Sequence, residues 1–208
     1  NRGKRSVRLD LKSEQGREAL LRLVRQYDVV LDGFRPGVLD RLGVGYEQMR
    51  DANPAIIDCA ITGYGQDGTY TQRAGHDRIY RGLIGLLGLP GSQDGPPVQS
   101  GGQIADIGGG ALMAAFGVLA ALHERRRSGE GQLVDVSQFE ATVSLLGPFL
   151  LDHERNNTTP ARTGNRLEWS APEGVDPCRG GDRWVEIRAY RHDAFGAGGI
   201  RNATRDSE

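Results

Sequence analysis

The chain reads as an α/β domain built on a parallel sheet, and three observations carry that reading. Short apolar runs at Val29–Leu31, Ala55–Ile61 and Leu133–Val136 have the length of buried strands. Segments with apolar residues at helical spacing lie between them, the alternation that a parallel sheet requires. The first two runs lead into glycine-bearing loops, Asp32-Gly33-Phe34-Arg35-Pro36-Gly37 and Thr62-Gly63-Tyr64-Gly65-Gln66. In such sheets the loops at strand carboxyl ends are where ligands bind.

The elements follow in order. Ser6-Val7-Arg8-Leu9-Asp10 alternates like a strand. Ser13 is a helix N-cap, and Leu20, Leu21, Leu23, Val24 and Tyr27 recur at helical spacing behind it. After the first strand, Val38 to Leu42 and Tyr46 to Arg50 read as helical, and the second strand runs over 55–61. Residues 88–102, rich in glycine, proline, serine and glutamine, form a loop. The segment from Gly108 to Arg127 is apolar nearly all round and is expected as a buried helix. Ser128-Gly129-Glu130-Gly131 stops it, Leu133 to Val136 is a strand, and Glu140 to Asp152 is expected as one further helix. Residues 156–177, with Pro160, Pro172 and Pro177, read as an irregular linker, and Trp184-Val185-Glu186-Ile187 as a last strand.

A chain of 208 residues sustains one substantial core and falls short of two full-sized domains. With 26 basic against 27 acidic residues and a net charge of -1, no overall field favours nucleic acid or an anionic membrane as partner. The longest apolar stretch, about 104–122, contains Asp106 and lacks the flanks of a spanning helix, so no membrane partner is expected. Cys59 and Cys178 have no metal-ligand or C-x-x-C spacing, which fits a reduced, cytoplasmic setting. His76, His123, His153 and His192 have no ligand spacing either, and no metal is implied. The start at Asn1 reads as the middle of a longer protein. The polar, small-residue tail from about Gly196 is expected to be poorly ordered.

Two short segments carry the chemistry. Ala74-Gly75-His76-Asp77 offers an imidazole, and thirty residues beyond the histidine Ile104-Ala105-Asp106-Ile107-Gly108-Gly109-Gly110 offers a carboxylate beside three glycines. Asp106 is either a plain helix N-cap or a base or nucleophile beside backbone amides that hold negative charge. His76 is either a surface or core histidine or the partner of Asp106, and Asp77 either orients the ring or caps a helix. Lys12, Arg35 and Arg41 fall at sheet-edge positions suited to an anionic nucleotide tail. Arg125-Arg126-Arg127 reads as a helix C-terminus complementing its dipole. Cys59 reads as a small buried hydrophobe.

Together these residues resemble the class III CoA-transferase family, which includes formyl-CoA transferase, carnitine CoA-transferase and α-methylacyl-CoA racemase. The likeness runs in order from Asn-Arg-Gly-Lys-Arg-Ser at the start, through Arg126 to Gln132 and Val134-Asp135-Val136-Ser137, to about Phe195. It implies an incomplete Rossmann-like large domain with the start of a smaller second domain. The implied boundaries are a CoA-binding domain over 1–155, a linker over 156–180, and the small-domain start with its irregular tail over 181–208. It implies that Asp106 is catalytic and that Leu9, Lys12, Phe34, Val38 and Arg41 line a CoA site. The Gly-His-Asp turn is the racemase-like feature: His76 and Asp106 would act as two bases on the α-carbon of a 2-methylacyl-CoA, with Gly108, Gly109 and Gly110 amides facing the enolate oxygen. The alternative is a CoA transferase with an acyl-aspartyl anhydride at Asp106, and a third reading is an inactive CoA-binding fragment. CoA enters as part of the substrate, with no permanently bound cofactor, and the expected assembly is an interlocked homodimer.

Overall fold

The computed structural model describes residues 2–166 and 173–188. Three parallel strands, β1 (Val29–Asp32), β2 (Ile57–Thr62) and β3 (Leu133–Ser137), form a sheet in the order β1-β2-β3. Val29 faces Ile57 in the register and Asp58 faces Leu133. The middle strand, β2, is buried along almost its whole length, which is why its sequence is mostly apolar on both faces rather than alternating, Asp58 and the terminal Thr62 aside.

Helices cover both faces. Helix α1 (Glu14–Val24) starts where the Ser13 hydroxyl accepts from the Gly16 N–H at 3.1 Å, and α2 (Val38–Arg41) and α3 (Tyr46–Ala52) follow β1. Val24, Met49 and Ile56 form a core there with Leu21, Val30 and Leu39. Cys59 and Ile61 point to the opposite face, since side chains alternate along a strand, and pack with Ala114, Val118 and Val136. Burial makes Cys59 the inert small hydrophobe that its context implied, with its thiol pushed up to about 11.

Beyond β2 come α4 (Asp77–Leu83), a π-helix over Ile104–Leu112 and, continuous with it, α5 (Met113–Ser128). Gly129, at φ 79°, ends this run in the left-handed conformation. After β3 follow α6 (Gln138–Val143) and α7 (Gly147–Asn156), and then the antiparallel pair β4 (Glu173–Pro177) and β5 (Trp184–Arg188).

Several sequence expectations are corrected. Ser6 to Asp10 forms no strand; the segment is largely exposed, and Asp10 instead builds the turn into α1 by accepting from the Ser13 and Lys12 N–H groups at 3.0 Å. The second strand begins at Ile57 rather than Ala55, because Asn53 draws Ala55 and Ile56 into a turn. The helix expected over Glu140 to Asp152 is broken by a 3₁₀ turn at Ser144–Leu146, and Pro148 opens α7. The linker over 156–177 is not irregular throughout, since 173–177 pair with β5. The apolar helix is not buried all round: Leu112, Phe116 and Leu119 are 64%, 72% and 66% exposed. The run Ile104–Ser128 is long and apolar enough to cross a membrane, as core helices also can be. Its start is tied to α4 and its other end to the sheet, as Arg125 donates to the Ala55 carbonyl at 3.0 Å and to Asp28 at 2.8 Å. Arg125 thus joins helix to sheet, beyond any interaction with the helix dipole.

The chain divides into two compact units, Asn1–Leu86 with Ser100–Thr158, and Leu87–Gln99 with Thr159–Glu208. The loop within 88–102 therefore belongs largely with the second unit. In that unit Gly164 donates to the Gly91 carbonyl at 2.9 Å. His192 and the tail from Gly196 lie outside the described residues.

One buried charge makes the fold sensitive to pH. Asp58, on β2, is 3% exposed and its Oδ1 has no hydrogen-bond partner among the described residues. Burial, then the charges of Asp32 and Asp40, push its carboxyl from 3.8 to about 6. A carboxyl raised on folding contributes stability below its unfolded pKa and loses it as pH rises through the folded value. Asp58→Asn, which removes the buried charge at nearly the same volume, is expected to match wild type near pH 4. Near pH 7.5 it should be more stable by about 1–2 kcal/mol, measured by urea unfolding of the whole protein across pH.

Candidate functional site

The topology brings the two chemistry-bearing segments to one edge of the sheet. The start of a helix that returns from a parallel strand lies at that strand's carboxyl end, and both α4 and the π-helix belong to the connection from β2 to β3. His76 is the N-cap residue of α4 in extended conformation. Its carbonyl accepts from Ile79 and Tyr80, while its ring is exposed and does no capping. Asp106 is the third residue of the π-helix and is half-buried.

Burial raises the Asp106 carboxyl above the ordinary aspartate value, and the neighbouring Asp77 charge raises it further. His76 opposes that rise, so its charge reaches Asp106. The Tyr80 phenol is raised by burial and then by Tyr64 and Asp106. Four groups, His76, Asp77, Tyr80 and Asp106, therefore share one electrostatic neighbourhood. A carboxylate kept basic beside an uncommitted imidazole has the makings of a proton-transfer site, and a partly accessible carboxylate is equally a nucleophile.

The aspartate that caps is Asp77, not Asp106. Its Oδ1 accepts from the Ala105 N–H at 2.7 Å and from the Asp106 N–H at 3.3 Å, satisfying two donors that the helix start leaves open. Its Oδ2 takes the Arg81 Nη1 at 3.0 Å. Sequence reasoning missed Arg81, although the Asp77-to-Arg81 spacing of four is the signal of a helical ion pair. Tyr80 was also missed. Its ring lies between Gly63 and Gly75, where any Cβ would come within 2.3 Å of it, and it stacks edge-on with Tyr64 at 5.2 Å.

The three glycines after Asp106 divide by surroundings. A Cβ on Gly109 would meet Thr142 Oγ1 at 2.2 Å and the Gln138 carbonyl at 2.7 Å, and one on Gly110 would lie 3.3 Å from the Gln138 side chain. Both are buried, and close packing on α6 accounts for them. Gly108 has only Leu145 near, at 3.5 Å. It alone of the three fits an open approach.

Of the positions expected to line a CoA site, Leu9 and Lys12 precede α1, Phe34 lies in the loop after β1, and Val38 and Arg41 are the ends of α2. Leu9 and Val38 are half-buried, and Lys12, Phe34 and Arg41 are exposed. The Lys12 carbonyl is held by Arg17 at 2.9 Å, and the Phe34 N–H donates to Asp32 at 2.7 Å. Gly37, at φ 75°, turns the chain into α2 beside the Arg41 guanidinium.

A parallel α/β sheet with a basic carboxylate at its carboxyl edge defines a class of nucleotide-fold domains with a reactive site at the strand ends. Residues 1–198 match the model of CoA-transferase family III, and the chain belongs to that family. It is 40% identical over 176 residues to the acetyl-CoA:oxalate CoA-transferase of Acetobacter aceti, covering 84% of this chain and 45% of that protein. It is 38% identical over 180 residues to the human alpha-methylacyl-CoA racemase, covering 86% and 44%. A CAIB/BAIF family protein from Brucella suis has a similar solved structure, with a TM-score of 0.79 and 38% identity over 84% of this chain and 46% of that one. The chain spans under half the length of each.

Packing at Gly109 carries a direct expectation. Gly109→Ala forces α6 away from the helix that holds Asp106, and overpacking of this kind costs about 1–3 kcal/mol. Thermal unfolding of the whole protein should register that loss, while Gly108→Ala, with room beside it, should leave the melting temperature near wild type.

Proposed function

We propose that the protein is an acyl-CoA enzyme that racemises the α-carbon of a 2-methylacyl-CoA, with His76 and Asp106 as the two bases. The observation that carries this reading is the half-buried Asp106 carboxyl, raised by burial and felt by the free His76 imidazole at the sheet edge. In one direction the Asp106 carboxylate removes the α-proton, an enolate forms, and a His76 imidazolium delivers a proton to the opposite face. The reverse reaction exchanges the roles. Neither step breaks the thioester, and neither needs a permanently bound cofactor.

The enolate oxygen requires a hydrogen-bond donor, and loss of one such donor typically costs on the order of 10²–10³ in rate. Gly108 is the glycine of the three with space for that approach. Leu9, Lys12, Phe34, Val38 and Arg41 would hold the CoA moiety, the two cations on its phosphates and Phe34 against its apolar parts. The exposed stripe of Leu112, Phe116 and Leu119 supports a homodimer, because monomers seldom leave so contiguous an apolar face in water.

Similarity to the acetyl-CoA:oxalate CoA-transferase favours a second reading. Here Asp106 attacks the thioester carbonyl and expels CoA thiolate, leaving an acyl-aspartyl anhydride. The thiolate then attacks the aspartyl carbonyl, releasing the first carboxylate and forming an aspartyl-CoA thioester. An incoming carboxylate takes over the aspartyl group's CoA by the reverse sequence.

Proton NMR of a 2-methylacyl-CoA in D₂O with the whole protein separates the readings. Deuterium at the α-carbon with the thioester intact, lost in His76→Ala and in Asp106→Ala, is the expected result. CoA passing to an added carboxylic acid without α-exchange, dependent on Asp106 alone, would sink the racemase reading in favour of the transferase. CoA binding with neither reaction would leave an inactive CoA-binding protein. Because the Asp106 carboxyl is raised, the acid limb of activity should lie above the ordinary aspartate value of 3.8, with activity lost as pH falls through it.

A further inference from the structure

We infer that Arg81 is a positioning residue for Asp106, acting through the Asp77 carboxylate that ties α4 to the start of the π-helix. The inference rests on the reading of Asp106 as the reacting carboxylate. Arg81 is completely buried, with 0% of its surface exposed, an unusual place for a guanidinium in a seven-residue helix. Its Nη1 donates to Asp77 Oδ2 at 3.0 Å, while its Nε and Nη2 have no acceptor among the described residues. A side chain needed only to fill this space would be apolar, since an unsatisfied guanidinium is costly to bury. What Arg81 does that an apolar residue would not is fix Asp77.

Asp77 is itself 6% exposed and bridges two directions. One oxygen meets Arg81; the other accepts from the backbone N–H groups of Ala105 and of Asp106 itself. The backbone of the reacting carboxylate is thus pinned by a carboxylate that a buried cation holds in place. The cation also meets an electrostatic need. The Asp77 charge helps to raise the Asp106 carboxyl, and a buried positive charge beside Asp77 offsets that effect.

Among the described residues, the charges that bear on Asp106 are those of Asp77 and His76, and Asp106 in turn bears on the Tyr80 phenol. Helix α4 also carries the buried Arg81, and α6 sets the uncharged Gln138 and Thr142 against Gly109 and Gly110 of the Asp106 helix, while its Glu140 is exposed. At the strand ends Tyr64 acts on Tyr80, and Asp135 is engaged by the Gln66 N–H at 2.9 Å. Arg81 is the buried cation of this set.

The test compares Arg81→Gln, Arg81→Lys, Asp77→Asn and the Arg81→Gln/Asp77→Asn double variant in the whole protein, using α-exchange or CoA transfer, whichever the wild type performs. Arg81→Gln should lower kcat by about 10- to 100-fold with KM within about twofold, as small misplacements of a reacting group do. Its acid limb should move to higher pH. Arg81→Lys, which keeps the charge, should hold the acid limb at the wild-type position and recover part of kcat. The double variant should be no worse than Asp77→Asn alone, because Arg81 acts through that carboxylate.

Wild-type kcat and pH profile in Arg81→Gln would overturn the inference, as would an acid limb displaced equally in the Lys variant. Full additivity in the double variant would do the same. An Arg81→Lys variant that fails to fold would overturn it too, by making Arg81 a requirement of the fold. Asp106→Ala, measured alongside, keeps the two readings apart. If it stays active the reading of Asp106 fails; if it is dead while the Arg81 variants behave as wild type, only the role of Arg81 fails.

Discussion

The arrangement of this domain depends on one carboxylate accepting from the first turn of a helix twenty-eight residues further along. A π-helix leaves more backbone donors open at its start than an α-helix does, because each N–H reaches back five residues rather than four. Asp77 accepts two of those donors, from Ala105 and Asp106. Tyr80 of α4 packs with Ala105 of the π-helix in the same core cluster, so the link adds a polar tie to an apolar contact. It is the tie that reaches the Asp106 N–H itself.

The surrounding contacts are organised to keep that link dry and rigid. Tyr80, one turn into α4, is clasped by Gly63 and Gly75, so the loop after β2 and the turn before His76 close on the same ring. Tyr64 packs on that ring and also on Phe139, whose N–H donates to the Gly63 carbonyl at 3.0 Å. The Ser137 hydroxyl starts α6 by accepting from Glu140, and α6 in turn receives Gly109. Each element that touches the Asp106 helix is thereby fixed by another. The glycines in this corner serve close approach of backbone and side chains, and most of them are spent on packing rather than on a ligand.

That distinction explains what the sequence made legible. The strands were readable because β2 is buried on both faces and is mostly apolar, with Asp58 the exception, and the α1 start was readable because Ser13 caps locally. His76 and Asp106 stood out by residue type and order. The bond that ties their segments runs through Asp77, and a hydrogen bond between residues 28 apart leaves no local periodicity. Nothing in the sequence around Arg81 marks it as buried. Gly108, Gly109 and Gly110 looked alike in sequence, yet their surroundings differ because only α6, thirty residues later, decides which of them is pressed. The helix ends in 140–152 were set by Pro148 and the tight turn before it, a choice between two packings that periodicity alone does not make.

The exposed face of the long helix follows from the same limit. Leu112, Phe116 and Leu119 are four and three residues apart, so they share one stripe, and an all-round apolar sequence shows only that this stripe avoids water, not what it meets. Ala114 and Ala121, on the side turned to the sheet, are small enough to let the helix lie close against β2 and β3. Met113 and Val118 pack on that same side, while Leu112, Phe116 and Leu119 stay exposed. Asp106 stands at the head of that helix. Any cover on the stripe would bear on the position of the carboxylate that Asp77 pins, because the two belong to one continuous helical run.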